Sequence, residues 1–278
     1  MKLPNNTCLP FFAYGIFKPG QIAYFRIKEL VERTKEAKIS GSLKERDGIP
    51  LLILGQNMKG VQGSLIAFKS GCDVDAYRRI NQIEPNDVYR WQEVILCDKS
   101  RANALIGRKI GRGSSDFEDE VWDGKKDPLF NQALEIVTTI CKENSEFDWN
   151  YKPLLNLQMG YFLLWMSIER YASLRYHLGS NVKHKIDQIA HESSFANGLK
   201  KHVHRKYQEE IFDTRNPETK IKLNLEDPSS SLRYYYQVRS NSVHRGKTVP
   251  RDFDILSNSL RELLLIYKDM LQEAFSQS

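Results

Sequence analysis

The stretch Arg239-Ser-Asn-Ser-Val-His244 places a permanent planar cation, an amide and an imidazole within one short segment. Histidine exchanges protons near neutral pH, and arginine stabilises anionic charge while never losing its own proton. In the middle of a helix Asn241 and His244 lie three residues apart on one face, whereas Arg239 and His244 point about 140° apart around the axis. They converge on one atom if the helix ends near His244, as Gly246 and Pro250 suggest, or if two copies of the segment meet across a dimer axis. A purely structural use of the same residues stays open beside this one. Arg239 has Tyr235, Tyr236 and Val243 at helical spacing, so it can stack on tyrosine and pair with a buried acid, while His244 caps a helix end.

The surrounding sequence carries charge that suits an anionic partner. Between Phe195 and Arg251 there are twelve lysines or arginines against six acids, an excess equal to the net charge of +6 of the whole chain. A basic segment with interleaved aromatics can bind a polyanion such as RNA, and it can equally be a solvated helix face. Cys8, Cys72, Cys97 and Cys141 are scattered with no CxxC pair, which points to four reduced thiols and away from a zinc ribbon or a disulfide framework. The N-terminus has no charged region followed by a long apolar run, and Leu154 to Ile168 is too short and too polar to span a bilayer. The expectation is a cytoplasmic protein with no membrane partner and no cofactor, since the histidines show no metal-ligand spacing.

The elements that must position these residues divide into two halves, giving an α+β fold class. Residues 1–98 read as a small mixed β-barrel or sheet domain. Phe11 to Gly15 is a strand ending in a glycine turn, and Ile49 to Gly55, Val61 to Phe68 and Tyr89 to Cys97 are rich in β-branched and aromatic residues. Ala23 to Ala37 and Asp73 to Ile83 show helical spacing, the second behind an acidic start. Residues 99–127 read as a charged linker or hairpin that Trp122 pins to one of the two domains. Residues 128–278 read as an all-α bundle of four or five helices. Its central helix carries Leu154, Tyr161, Trp165, Ile168 and Ala172 on one stripe with Leu155, Phe162 and Met166 beside it, so it is expected to be buried almost all round. Glu169 on that helix then needs a partner, for which Arg239 and His244 are the candidates.

Taken in order, AYGIFKPG, VQGSLIAF and INQIEPNDVYRW resemble the gamma-glutamylcyclotransferase-like family over roughly residues 9–98. The family's pattern is a strand ending in tyrosine-glycine, a glycine-containing strand, then an acid shortly before a tyrosine and the last strand. The resemblance implies that a gamma-glutamyl small molecule or peptide closes on itself, its α-amine attacking its own γ-carbonyl to release 5-oxoproline. Glu84 matches the acid/base position, and burial of such a carboxyl suits it to proton exchange near pH 7. Backbone N–H groups of Tyr14, Gly15, Ile16 and Phe17 would hold the substrate carboxylate or oxyanion, and Tyr89 would close the pocket. Ile16 and Phe17 replace the family's usual hydroxyl residue and leucine, and Trp91 stands where an arginine is common, with Arg90 one position earlier.

Over roughly residues 128–275 the chain resembles the HEPN superfamily, through Arg239-Ser-Asn-Ser-Val-His244 near a late helix and through the helix FLLWMSIERYASL. Catalytic members of that superfamily are metal-independent endoribonucleases. RNA carries its own 2′-hydroxyl nucleophile, so the implied roles are proton exchange for His244, phosphorane stabilisation for Arg239 and orientation for Asn241, with Glu169 in support, in a homodimer. Three functions follow. A ribonuclease or RNA-binding protein with an N-terminal sensing domain is preferred, because it uses the basic segment and the Arg239–His244 spacing together. The others are a gamma-glutamyl cyclotransferase whose bundle dimerises it, and a pair of non-catalytic binding modules.

Overall fold

The computed structural model describes the chain except residues 56–58, 109–110, 112, 147–150, 177–186, 205–209, 214–215, 245–251 and 277–278, and except the side chains of Pro217, Val243 and His244. It is a mixed α+β structure with two compact units, one of Met1–Asp127 with Ser173–Ser180 and Ala274–Ser278, the other of Pro128–Ala172 with Asn181–Glu273.

The first unit holds strands β1 (Phe11–Ala13), β2 (Val31–Ile39), β3 (Gly41–Arg46), β4 (Ile49–Leu54), β5 (Val61–Phe68), β6 (Tyr89–Ile95), β7 (Arg101–Gly107) and β8 (Ser114–Phe117), with helix α1 (Asp73–Ile83) between β5 and β6. Five strands form one sheet in the order β2-β5-β1-β7-β6, in which only β1 and β7 run parallel. The order β4-β3-β8 makes a second, antiparallel sheet. Both sheets are open, so the barrel form of the expectation gives way to two sheets among the described residues. Short β1 is central and fully apolar, with Phe11, Phe12 and Ala13 at most 2% exposed. Gly63 lets β5 approach it, because a Cβ there would lie 2.5 Å from the Ala13 carbonyl oxygen and 2.8 Å from the Phe12 ring. The β3–β4 hairpin turns at Asp47 (φ 53°) and Gly48 (φ 73°), a two-residue turn whose positive φ angles match the twist of the strands.

Two expectations for this unit are corrected. Ala23 to Ala37 is not a helix: two 3-10 turns, Tyr24–Arg26 and Lys28–Leu30, lead into β2. Its run of Glu, Lys and Arg has good helix propensity, but pairing with β5 from Val31 to Ile39 overrides it, and the exposed charges suit an edge strand. The stretch 99–127 is not a linker. It supplies β7, buried between β1 and β6, and β8 in the second sheet. The lysines and arginines around β7 hide a run, Ala102 to Gly107, that is buried throughout. Trp122 is 3% exposed and docks within this same unit, where Lys18 donates to its carbonyl at 2.7 Å and Gly124 packs against its ring.

The second unit contains α2 (Gln132–Glu143), α3 (Lys152–Tyr176), α4 (Ser193–His202), the strands β9 (Glu210–Asp213) and β10 (Asn216–Lys222), α5 (Pro228–His244) and α6 (Phe253–Ser276), of which Ser173 onward in α3 and Ala274 onward in α6 belong to the first. An all-α bundle is therefore corrected to helices plus one hairpin. The helix expected over His191 to Phe212 ends at His202, and Ile211, one of its apolar positions, is buried in β9. Asp227 starts α5 by accepting from the Ser230 N–H at 3.1 Å, with Pro228 in the first turn where no N–H is needed. The core is rich in tyrosine, and the hydroxyls are satisfied in place: Tyr161 donates to the Tyr235 carbonyl, Tyr235 to Glu262 and Tyr267 to the Ser167 carbonyl. Helix α3 is not buried all round. Leu154, Trp165 and Ile168 are buried, but Leu155, Met159 and Met166 are 48%, 58% and 55% exposed. No helix among the described residues is long and apolar enough to cross a membrane.

Candidate acid/base pocket

Helix α1 buries Ala76, Tyr77, Ile80 and Ile83 and must stop at Glu84, because the ring of Pro85 excludes helical backbone at the residue before it. Glu84 accordingly adopts an extended conformation (φ −85°, ψ 126°) with its N–H still bonded to the Ile80 carbonyl at 3.0 Å. This turn of the chain aims the carboxyl inward. Tyr77 fixes the helix behind it, donating to the Leu9 carbonyl at 2.6 Å and accepting from Asn103 at 3.0 Å.

The carboxyl enters a small pocket lined by Tyr14, Gly15, Ile16 and Phe17 from the turn after β1, by Tyr89 at the start of β6, and by Pro50 and Leu105. Six residues expected from the sequence thus meet at one place. Glu84 is 6% exposed and its carboxyl makes no hydrogen bond or ion pair among the described residues, so burial pushes its pKa from 4.5 up to about 8. Tyr14 is locked: its hydroxyl donates to the Leu105 carbonyl at 2.7 Å and accepts from the Leu52 N–H at 3.2 Å. Its phenol is held far above the ordinary value, by burial first and also by the charge of Glu84, with the Leu52 bond opposing. Tyr89 donates to the Pro50 carbonyl at 2.7 Å, which closes the wall.

The turn itself is framed by Lys18 N–H to the Gly15 carbonyl and Ala23 N–H to the Ile16 carbonyl, both 3.0 Å. By contrast, the N–H groups of Gly15, Ile16 and Phe17 find no acceptor among the described residues. Consecutive backbone N–H groups without acceptors are the donors that an anion-binding turn uses. Gly15 is needed for closeness, since a Cβ there would sit 3.0 Å from the Pro50 ring. The cavity that remains is about 20 Å³, enough for one water molecule.

The residues of α5 are arranged differently. Asn241 accepts from Gln237 at 2.8 Å and donates to the Phe212 carbonyl at 2.9 Å, strapping the helix to β9. Arg239 is half-buried, its guanidinium 5.9 Å from the Tyr236 ring centre and its Nε without an acceptor. It does not pair with Glu169, whose half-buried side chain makes no hydrogen bond or ion pair among the described residues. The expected Glu169–Arg239 contact is therefore corrected. Tyr236 supplies the neighbour that the ion pair was expected to give Arg239. The His244 side chain lies outside the described residues. Several cations of the basic segment are already paired, Lys200 with Glu226 and Lys201 with Asp269, while Lys220 and Lys222 share Glu210.

Pro50 and Leu105, which line the pocket, and Leu52, which holds Tyr14, were missed by sequence reasoning. Leu105 lay inside the stretch read as a linker, where only Ala104, Leu105 and Ile106 signalled a strand.

No protein-family model matches the chain, and comparison with curated proteins returns no match. Among solved structures, the uncharacterized protein PH0828 from Pyrococcus horikoshii is 18% identical over 45% of this chain and 96% of its own, with a TM-score of 0.35. A variant of Kluyveromyces lactis allophanate hydrolase is 13% identical over 39% of this chain and 19% of its own (TM-score 0.33), and the K. lactis urea amidolyase 12% identical over 49% and 9% (TM-score 0.35). At these TM-scores none of the three likenesses carries weight for fold or chemistry.

Proposed function

We propose that the Glu84 pocket is the acid/base site of a gamma-glutamyl cyclotransferase. The observation that supports this most directly is a buried carboxyl with no side-chain partner of its own, in a pocket lined by Gly15, Ile16 and Phe17, whose N–H groups find no acceptor among the described residues. The carboxylate takes a proton from the substrate's α-ammonium, and the freed amine attacks the γ-carbonyl carbon. A new C–N bond forms while the carbonyl π pair moves to oxygen, where free N–H groups of the turn hold the oxyanion. As the oxyanion collapses, the γ-amide C–N bond breaks and Glu84 returns its proton to the departing nitrogen; the carboxylate then takes the second proton of the attacking nitrogen and passes it to the released amine, which leaves as an ammonium. The products are 5-oxoproline and an amine, and Glu84 ends as it began.

A pKa of about 8 leaves about one carboxyl in ten ionised at pH 7, sufficient for a base and well suited to returning the proton. With about 20 Å³ in the resting pocket, a substrate enters only as the Ile16–Phe17 turn or Pro50 moves outward. The test is release of 5-oxoproline from gamma-glutamyl amides and dipeptides. Wild type is expected to release it and Glu84→Gln to release none; absence of release from every substrate by wild type would remove the proposal.

A second proposal keeps the helical unit as an RNA-binding or RNA-cleaving module acting as a homodimer, with His244 as the proton carrier. Its support is the half-buried Arg239 guanidinium on α5 together with the excess of lysine and arginine between Phe195 and Arg251. Cleavage of single-stranded RNA in EDTA that disappears in His244→Ala would sustain it; cleavage unchanged by that substitution would end it.

A further inference from the structure

Strand β6 is an edge of the five-stranded sheet, and its outer side is open. The Arg108 N–H donates to the Val88 carbonyl at 2.7 Å and the Leu96 N–H to the Ser100 carbonyl at 2.9 Å, which sets the phase of the β6–β7 ladder. Arg90, Gln92 and Val94 therefore turn their backbone groups toward β7, whereas Trp91, Glu93 and Ile95 turn theirs away from it. The outward N–H and C=O groups of these three residues meet no partner among the described residues. The opposite edge of the sheet is protected. On β2 the Lys38 carbonyl already accepts from the Cys97 N–H at 2.9 Å, and Lys35 and Lys38 are paired with Asp98 and Glu120.

A cleft of about 600 Å³ follows the open side of β6, with residues 1–6 as its other wall. Asn81 ties the two walls together, accepting from the Trp91 indole N–H and donating to the Met1 carbonyl, both at 2.8 Å. The N-terminal segment thus stands on the Trp91 face of β6, where Leu3 and Pro4 give the cleft apolar surface.

Strand alternation gives the other face a different character. Arg90 and Gln92 project from the face opposite Trp91. Arg108, across from Val88, shares that face and is the diagonal neighbour of Arg90. Arg90 is exposed and makes no hydrogen bond or ion pair among the described residues. Arg108 donates from Nη1 to the Asn86 carbonyl at 2.8 Å and keeps its remaining donors available. Lys2 adds a cation from the N-terminal wall. Of the nearby carboxylates, Glu93 is paired with Arg101, and Asp87 lies in the turn before β6. A chain laid along this edge therefore meets cations on one face and apolar surface on the other, with an unpaired row of backbone groups between them.

We propose that β6 accepts an extended acidic segment of another protein as an added strand, its backbone bonded to Trp91, Glu93 and Ile95, its acidic side chains on the Arg90 face and its apolar ones toward Leu3 and Pro4. This use of the edge does not draw on the chemistry of Glu84. The test is fluorescence anisotropy of the full chain with a labelled, end-blocked hexapeptide of alternating glutamate and valine, long enough at about 3.4 Å per residue to cover the open edge. Saturable binding is expected. The fully N-methylated form of this peptide keeps every side chain and cannot donate to β6, so it is expected to bind at least about tenfold more weakly. Arg90→Glu is expected to weaken the glutamate peptide about tenfold and to strengthen the matching lysine–valine peptide. Arg90 is exposed, so its replacement leaves the fold intact, and an unchanged melting curve verifies this. Any of these results would overturn the proposal: no saturable binding of the glutamate peptide up to about 1 mM, equal affinity for its N-methylated form, equal affinity for the lysine–valine peptide, or affinity unmoved in the Arg90→Glu, Arg108→Ala double variant. Slowing of hydrogen exchange at Trp91 and Glu93 as the chain alone is concentrated would also overturn it, by giving this edge to a second copy.

Discussion

Replacing Glu84 by glutamine alters the pH dependence of stability in a direction set by the pocket. The carboxyl titrates near 4.5 in the unfolded chain and near 8 in the folded one, because burial disfavours its charged form. Below about pH 4.5 both states hold the proton and stability is independent of this group. Between 4.5 and 8 the folded chain keeps a proton that the unfolded chain has released, so stability falls as pH rises across that window and levels off above it. Each step of one in pKa corresponds to about 1.36 kcal/mol, which makes the full loss about 5 kcal/mol at most. Water entering the pocket as the carboxylate forms reduces this, and about 2–4 kcal/mol is the expected observed loss. Glutamine has no such titration. Urea denaturation of both proteins between about pH 5 and pH 9 is expected to give nearly coincident stabilities at the acidic end and a more stable Glu84→Gln protein at the alkaline end. Parallel curves for the two proteins would refute the reasoning, for they would mean that Glu84 ionises without cost in the folded chain.

Other outcomes follow from the same structure. In the cyclotransfer assay, the rate at low substrate is expected to rise with pH and level off above about pH 8, as Glu84 loses its proton; a limb centred near pH 4.5 would contradict the pocket's effect. Tyr14→Phe leaves the Leu105 carbonyl and Leu52 N–H without their shared partner and is expected to cost about 1–3 kcal/mol in denaturation. Gly63→Ala forces a methyl group to 2.5 Å from the Ala13 carbonyl oxygen and is expected to cost more than about 3 kcal/mol or to prevent folding, read as a fall in melting temperature. Asn241→Ala releases the Phe212 carbonyl and is expected to speed hydrogen exchange in β9 and β10 while leaving the β1–β7 ladder unchanged.

The pocket was more legible in the sequence than the sheet that carries it. Glu84 sits before a proline, Tyr14-Gly15 closes an apolar strand and Tyr89 opens another, so local chemistry marks all three as ends of elements. Chain ends of this kind converge at a sheet edge or rim, where sites form. β2 and β7 escaped because their signals are not local. β2 is written in helix-forming lysine and glutamate and becomes a strand only by pairing with β5, and β7 is an apolar run framed by glycine and arginine that composition alone assigns to a loop. The surroundings of the α5 residues were less legible for another reason. Helical spacing locates Arg239 and Asn241 on the helix, but it says nothing of a hairpin, and it was β9 that engaged Asn241 through a backbone carbonyl.

The most direct test is a titration of Glu84 itself by carbon NMR on protein carrying carboxyl-labelled glutamate, its resonance assigned by its disappearance in Glu84→Gln. A midpoint near 8 is the predicted result, and a midpoint near 4.5 would contradict the account of a buried, unpartnered acid/base group.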